Sequence, residues 1–218
     1  MRREPIELDS TNGYALWAPT YSPRPHNPLM ELEQRALLEL LPEVTGKVAL
    51  DLACGSGRYL ATLIKRGASQ AVGLDISSQM LARVQTNHGR LVRGDLRDLP
   101  LASASFEVVV CGLAVGHVDD LRGVMAEIGR VLIPGGIAVY SDFHPFGAMA
   151  GWKRTFRGQD GRLYAVRHYF HLYADHHAAC RAAGLMIEDV REPVIDFEHK
   201  WRGCPAVIVL RARKAKSI

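Results

Sequence analysis

The chain of 218 residues carries a net charge of +4, with 48% hydrophobic and 23% charged side chains, enough for one sizeable core and short for two. No apolar run approaches signal-peptide length or the ~20 residues of a spanning helix, so a cytoplasmic protein with no membrane partner is expected. Cys54, Cys111, Cys180 and Cys204 are scattered with no C-x-x-C spacing, which argues against a disulfide frame or a thiolate zinc site and for free buried thiols.

In chain order, the aromatic, proline-rich stretch "YALWAPTYSPRPHNP" precedes "NPLMELEQRALLELLP", whose apolar positions recur at helical spacing. From about residue 47, short β-branched runs alternate with helical patterns, as in a parallel sheet covered by helices. "KVALDLAC" leads to the helix "GRYLATLIKRG", and "QAVGLDI" to the helix "SSQMLARVQTN". "GRLVRGDL" and "FEVVVCGLAV" follow; then a helix from Asp119 or Asp120, ended by Pro134-Gly135-Gly136, feeds "IAVYSDF". Five parallel strands are expected. Residues 143–173 read as an insertion with a hairpin at "GQDGR", and an insertion after a sheet strand overhangs the ligand crevice as a cap. After the helix "DHHAACRAAG", the runs "LMIEDVREPVI" and "CPAVIVLRARK" lie close together and predict an antiparallel pair. The expected organisation is one domain over 1–218. It comprises an N-terminal lid and helix (1–43), a core (44–142), a cap (143–173) and a C-terminal helix and strand pair (174–218). The basic cluster "RARKAKS" at 211–217 reads as a solvated end, and the other basic residues are spread, which argues against a nucleic-acid partner.

The stretch "VALDLACGSGRYLA" poses a choice between two nucleotide-bearing cofactors. Gly55 and Gly57 begin a G-x-G-x-x-G pattern, but Leu60 stands where the third glycine would pack helix against strand. Asp75 ends the second strand, where a carboxylate accepts the two hydroxyls of a ribose, a group both cofactors share. Asp51 is more discriminating: a carboxylate before the glycine loop repels a pyrophosphate and suits a cofactor with an amino-acid arm and a sulfonium. Asp95, after the third strand, is placed to accept from an adenine amino group while the Leu96 amide donates to the ring.

Asp51-x-x-x-Gly55-x-Gly57, Asp75, Asp95 and "EIGRVLIPGGIAVYSD" together resemble the class I S-adenosylmethionine-dependent methyltransferases. The resemblance is closest to the small-molecule group, methyltransferase type 11, that includes the ubiquinone/menaquinone C-methyltransferases, and "YALWAPTYS" is similar to that group's N-terminal W-A-x-x-Y lid. The resemblance implies an α/β, Rossmann-like sheet of seven mostly parallel strands, the last antiparallel, with helices on both faces. It implies that Asp51 and the backbone of Ala53, Gly55 and Gly57 hold the methionine arm of S-adenosylmethionine, which leaves as S-adenosylhomocysteine. Asp75 would hold the ribose, Ile76 and Leu96 would flank the adenine, and Asp95 would meet its amino group. Cys111 to Ala114, Leu113 among them, would line the cofactor, with Tyr21 in the lid. Methyl transfer to an oxygen, nitrogen or carbon of a small acceptor is the expected activity. The alternatives are an NAD(P)-dependent oxidoreductase, opposed by Leu60 and Asp51, and a nucleic-acid methyltransferase. Strand four ends in "CGLAVGH" rather than the Asn/Asp-Pro-Pro-aromatic signature, which opposes the latter.

A base is needed only where the acceptor is protonated. His144, two residues past the fifth strand, is the expected catalytic residue, with Asp142 to orient it or act itself. His117 matches a histidine common in the family at that point. His117, Trp17, Tyr164, His168 and His171 are expected around the acceptor, with Tyr169 among the candidates, an aromatic lining suited to a ring-bearing molecule. If 163–173 is a strand, His168 and His171 face opposite ways, so no metal is expected. Nothing in the sequence fixes an oligomeric state.

Overall fold

The computed structural model describes residues 4–86 and 88–216. In chain order, β1 (Ile6–Leu8), α1 (Ser10–Trp17) and α2 (Pro28–Leu40) precede β2 (Val48–Leu52), α3 (Arg58–Lys65), β3 (Gln70–Asp75) and α4 (Ser78–Leu81). Next come β4 (Arg90–Arg93), β5 (Phe106–Cys111), α5 (Leu121–Val131), β6 (Leu132–Phe143), α6 (Phe146–Met149), β7 (Arg154–Arg157) and β8 (Leu163–Val166). The chain closes with α7 (Tyr173–Ala182), β9 (Leu185–Arg191) and β10 (Val207–Lys214).

Seven strands form one sheet in the order β4-β3-β2-β5-β6-β10-β9, in which β10 alone runs antiparallel to its neighbours. The expected α/β architecture with its antiparallel last strand is therefore present. Its central strands carry apolar runs on both faces, Val108–Cys111 and Ile137–Tyr140, because both faces are covered. Val108, Val110, Ile137 and Val139 meet α2 and α3 on one face, whereas Val109, Cys111, Ala138 and Tyr140 meet α5 and α7 on the other. Helix α2 begins where Asn27 Oδ1 accepts from the Met30 amide at 2.9 Å, and it buries Met30, Leu37 and Leu40 on a helical stripe.

A second sheet stands over the first. Strands β7 and β8 form the expected antiparallel hairpin, and β1 adds to β8 in parallel, pairing Ile6 with Tyr164. Its apolar face gathers Phe156, Tyr164 and Val166 under Leu8, Tyr14 and Trp17, with Trp17 stacked on Phe156 at 4.7 Å.

Several elements differ from expectation. β1 and α1 carry no predicted counterpart: three residues are too few to display a period, and the eight-residue α1 buries Gly13 in place of an apolar stripe. The helix expected over 77–87 closes after one turn, Ser78–Leu81, and its last residue, Asn87, lies outside the described residues, as does Ser217 of the basic cluster. α5 stops at Val131, before Pro134, which falls inside β6. The segment 163–173 is strand only to Val166, so the opposed-faces argument about His168 and His171 loses its premise. Among the described residues, no helix is long and apolar enough to cross a membrane.

Candidate active site

The strand order turns back between β2 and β5, and in open α/β sheets ligands bind at the carboxyl ends beside such a reversal. Here the chain is strained just past both strands: Ala53, directly after β2, has φ +54°, and Leu113, the second residue after β5, has φ +55°, a region costly for a residue with a Cβ. Gly57, at φ +85°, turns the chain into α3. A cavity of about 350 Å³ opens above these ends.

Along one half of the cavity lie Asp51, Ala53, Gly55, Asp75, Ile76 and Leu96. Asp51 is buried; its Oδ2 accepts from the Leu60 amide at 2.6 Å, while Oδ1 has no partner among the described residues. Burial pushes its carboxyl up to about 7, although the Leu60 amide and Arg58 favour the charged form. Asp75 Oδ2 accepts from Gly55 N at 2.8 Å and Oδ1 from Ser77 N at 2.8 Å, and burial likewise raises its pKa. Asp95 lines the mouth, but its carboxylate is forked by Arg97 at 2.6 Å, which lowers its pKa, so an adenine amino group there would compete with an ion pair. Tyr21 and Ser22 reach over this half from the N-terminal segment. They are tied down where Ser56 Oγ donates to Ser22 O at 3.5 Å and Arg83 Nη2 donates to Tyr21 O at 3.4 Å.

Tyr14, His117, Arg154, Arg167 and Tyr169 line the other half. The contacts fix a proton arrangement. His117 Nδ1 lies 3.0 Å from the Arg167 carbonyl, which only a donor satisfies, so Nε2 carries the lone pair. Tyr14 OH and Arg154 Nη1 both lie 3.0 Å from that lone pair, which accepts from one of them. Arg154 Nη1 then donates to Tyr14 OH in a very short contact and to Leu113 O at 3.1 Å. His117 is neutral in this chain, and burial together with Arg154 holds its pKa far below the usual histidine range.

Not every expected residue reaches the cavity. His144 faces away: its Nε2 is 3.2 Å from Glu192 Oε1 and its Nδ1 accepts from the Phe146 amide at 3.1 Å, because the chain bends into α6 directly after β6. Asp142 is fully buried behind the wall, with Oδ1 3.1 Å from His168 Nε2, and Gly116 lies between that pair and the cavity. His171 Nε2 is spent on Val118 O at 3.0 Å. Trp17 and Tyr164 point into the second sheet's own cluster, where the Tyr164 hydroxyl donates to Asp160 at 2.7 Å. The Cys111 side chain falls on the α5 face of the sheet, so only Gly112, Leu113 and Ala114 of that stretch line the cavity. Gly57 acts on the turn and not on the lining.

A methyltransferase-domain family model matches residues 50–140. A malonyl-[acyl-carrier protein] O-methyltransferase of Pectobacterium atrosepticum is 29% identical over 147 residues, 66% of this chain and 56% of the relative. A demethylmenaquinone methyltransferase of Tropheryma whipplei is 31% identical over 131 residues, 56% of this chain and 53% of the relative. The chain thus spans about half the length of these two curated relatives. The crystal structure of an S-adenosylmethionine-dependent methyltransferase from Mesorhizobium loti superimposes with a TM-score of 0.71 at 26% identity, covering 84% of this chain and 98% of the other. Residues 50–140 are thus similar to the methyltransferase domain, and the fold is that of class I S-adenosylmethionine-dependent methyltransferases.

S-adenosylmethionine fits the residues present. Asp51 Oδ1 is an unpartnered carboxylate oxygen in a cavity wall, suited to an ammonium, and Asp75 offers lone pairs beyond those its two amides use. The spacing of motifs pointed to neither Tyr14, Arg154 nor Glu33. Glu33, fully buried, accepts from Arg58 at 2.9 Å, Tyr59 at 2.8 Å and Ser141 at 2.6 Å, binding α2, α3 and β6 beneath the cavity. Signals for two of them existed. Glu33 sits three residues after Met30 and four before Leu37 on the apolar stripe of α2, and Arg154 shares a strand face with Phe156.

Proposed function

We propose that this chain methylates a small molecule that enters the cavity beneath the second sheet, with S-adenosylmethionine along the ends of β2, β3 and β5. The observation that carries this reading is the pair Asp51 and Asp75 in one wall, with a separate half of the same cavity left for an acceptor. S-adenosylmethionine, when bound, supplies an electrophilic methyl group on a sulfonium. Asp51 contributes a negative charge for the amino group of the methionine arm, and Asp75 contributes acceptors for the ribose hydroxyls. Tyr14, Tyr21 and Ser22 roof the cavity and keep water from competing with the acceptor. The chain's contribution is chiefly alignment, because an in-line displacement at carbon asks for position before acid or base.

His117 is not the base, since its lone pair is already engaged by Tyr14 and Arg154. With His144 turned to Glu192, the acceptor must bring its own nucleophile in reactive form. Calorimetric titration with S-adenosylhomocysteine and with NAD tests the cofactor assignment, and methyl-labelled S-adenosylmethionine incubated with phenols, quinols, amines, thiols and carboxylates tests turnover. Binding of S-adenosylhomocysteine without NAD binding, and label in at least one acceptor class, is expected. Tight NAD binding with no response to S-adenosylhomocysteine overturns the proposal.

A further inference from the structure

We infer that the acceptor carries a carboxylate and that Arg154 is its seat, an assignment of substrate class that rests on the methyl-transfer reading above. Four arginines line the cavity, and three are matched by carboxylates. Arg58 lies 2.9 Å from Glu33, Arg97 2.6 Å from Asp95 and Arg167 3.0 Å from Glu7. Arg154 has no carboxylate within ion-pair distance among the described residues. The acids nearest to it in the fold are occupied elsewhere. Asp142 is turned to His168 and the Phe143 amide, Asp9 spends both oxygens on Asn12, and Asp119 caps the Asp120 amide at 3.0 Å.

Its donors are divided in a way that points to a ligand. Nη1 is consumed among Tyr14 OH, Leu113 O and His117 Nε2, which pins the guanidinium, while Phe143 presents its ring 4.7 Å from the guanidinium carbon. Nε and Nη2 take no partner among the described residues, and neither belongs to the buried polar atoms sealed from solvent. These two N–H groups form the side-on edge of the guanidinium, the fork that receives both oxygens of a carboxylate. A cation so enclosed without a counter-ion is unfavourable, and an anionic acceptor removes that cost on binding. One unmatched guanidinium beside a neutral His117 balances a single negative charge, which favours a carboxylate over a dianionic phosphate. The seat lies in the half of the cavity opposite Asp51 and Asp75, where an anchored acceptor presents its remaining atoms toward the cofactor half.

The experiment uses the full chain saturated with S-adenosylhomocysteine, titrated calorimetrically with acetate, succinate, benzoate and phenylacetate, with the matching uncharged amides, and with methyl phosphate. At least one carboxylate should bind about tenfold more tightly than its amide, as expected for a charge-assisted fork. R154Q should erase that difference while leaving the dissociation constant for S-adenosylhomocysteine within about twofold, and R154K should keep part of it. Amides that match their carboxylates throughout, methyl phosphate that outbinds every carboxylate, or an R154Q protein that still discriminates would each overturn the assignment. The comparison of carboxylate with amide in the unmutated chain stands even where R154Q lowers the melting midpoint. A protein that fails to bind S-adenosylhomocysteine refutes the methyl-transfer reading. One that binds it but ignores every carboxylate refutes only the acceptor class.

Discussion

Asp51 and Glu33 are two buried carboxylates one helix apart, and their partners give them opposite roles. Glu33 is saturated by Arg58, Tyr59 and Ser141, so it is an anchor. Removing it strands the guanidinium and two hydroxyls, and Glu33→Ala should cost about 3 kcal/mol, read as a fall of roughly 6–12 °C in the melting midpoint. Asp51 keeps an oxygen for a ligand, and its raised pKa makes that binding depend on pH. A carboxyl whose folded pKa is about 7 against an ordinary 3.8 disfavours the ionised fold. Its contribution to stability is intact at pH values below the unfolded pKa and is lost as pH rises through about 7. An ammonium-bearing ligand selects the ionised form, so the sign reverses for binding. The affinity for S-adenosylhomocysteine should rise by about tenfold between roughly pH 6 and pH 8, with proton release visible as a buffer-dependent enthalpy. Asp51→Asn should flatten the profile, and an unmutated protein with equal affinity at both ends would remove Asp51 from the cofactor's amino group. At this scale the sequence was legible where chemistry sits at a fixed offset from a turn, as with Asp51 before Gly55 and Asp75 at a strand end. Tyr14 meets His117 and Arg154 only through tertiary packing across more than a hundred residues of chain, and no local spacing encodes that meeting.

The elements that could be read from the sequence are those whose burial pattern is long enough to repeat. β5 and β6 are apolar on both faces and α5 carries a full helical stripe, so their identity follows from periodicity alone. β1, with three residues, and the single turn of α4 hold no such signal, and β8 ends at Val166 although "RHYFHLY" continues the aromatic run. The turn after β5 illustrates what the tertiary fold adds. A Cβ on Gly112 would stand 2.3 Å from the Tyr59 ring, and that ring cannot swing aside because its hydroxyl is fixed to Glu33 at 2.8 Å. Gly112→Ala therefore overpacks a pinned aromatic and should destabilise the chain by about 1–3 kcal/mol in chemical denaturation. It should also weaken S-adenosylhomocysteine binding, because the displaced backbone carries Leu113 into the cavity. At the start of α2, Asn27→Ala removes only the cap on the Met30 amide, about 1 kcal/mol, and should leave binding unchanged.

Taken whole, the molecule is a broad sheet that holds one wall of the cavity and a small roof that closes it, and the two differ in how they are stabilised. The seven-stranded sheet is buried on both faces, whereas the roof depends on a cluster of three buried side chains and the pairing of β1 with β8. That pairing joins the N-terminal segment to the insertion after β6, and the Trp17–Phe156 stack at 4.7 Å clamps them together. Such a satellite opens at lower free energy than the core beneath it. Tyr21 reaches the cofactor half of the cavity from the roof, so a ligand that touches it there should tighten the entire unit. Amide hydrogen exchange across 6–21 and 154–166 should then slow in concert when S-adenosylhomocysteine is added, while the sheet strands, already protected, change little. Phe156→Ala removes the stack's lower ring and should cost the roof about 3 kcal/mol. Exchange in both segments should quicken together and affinity for S-adenosylhomocysteine should fall, with protection of β5 and β6 retained. If the two segments respond separately, the roof is two independent flaps and the parallel pairing of β1 with β8 does not couple them.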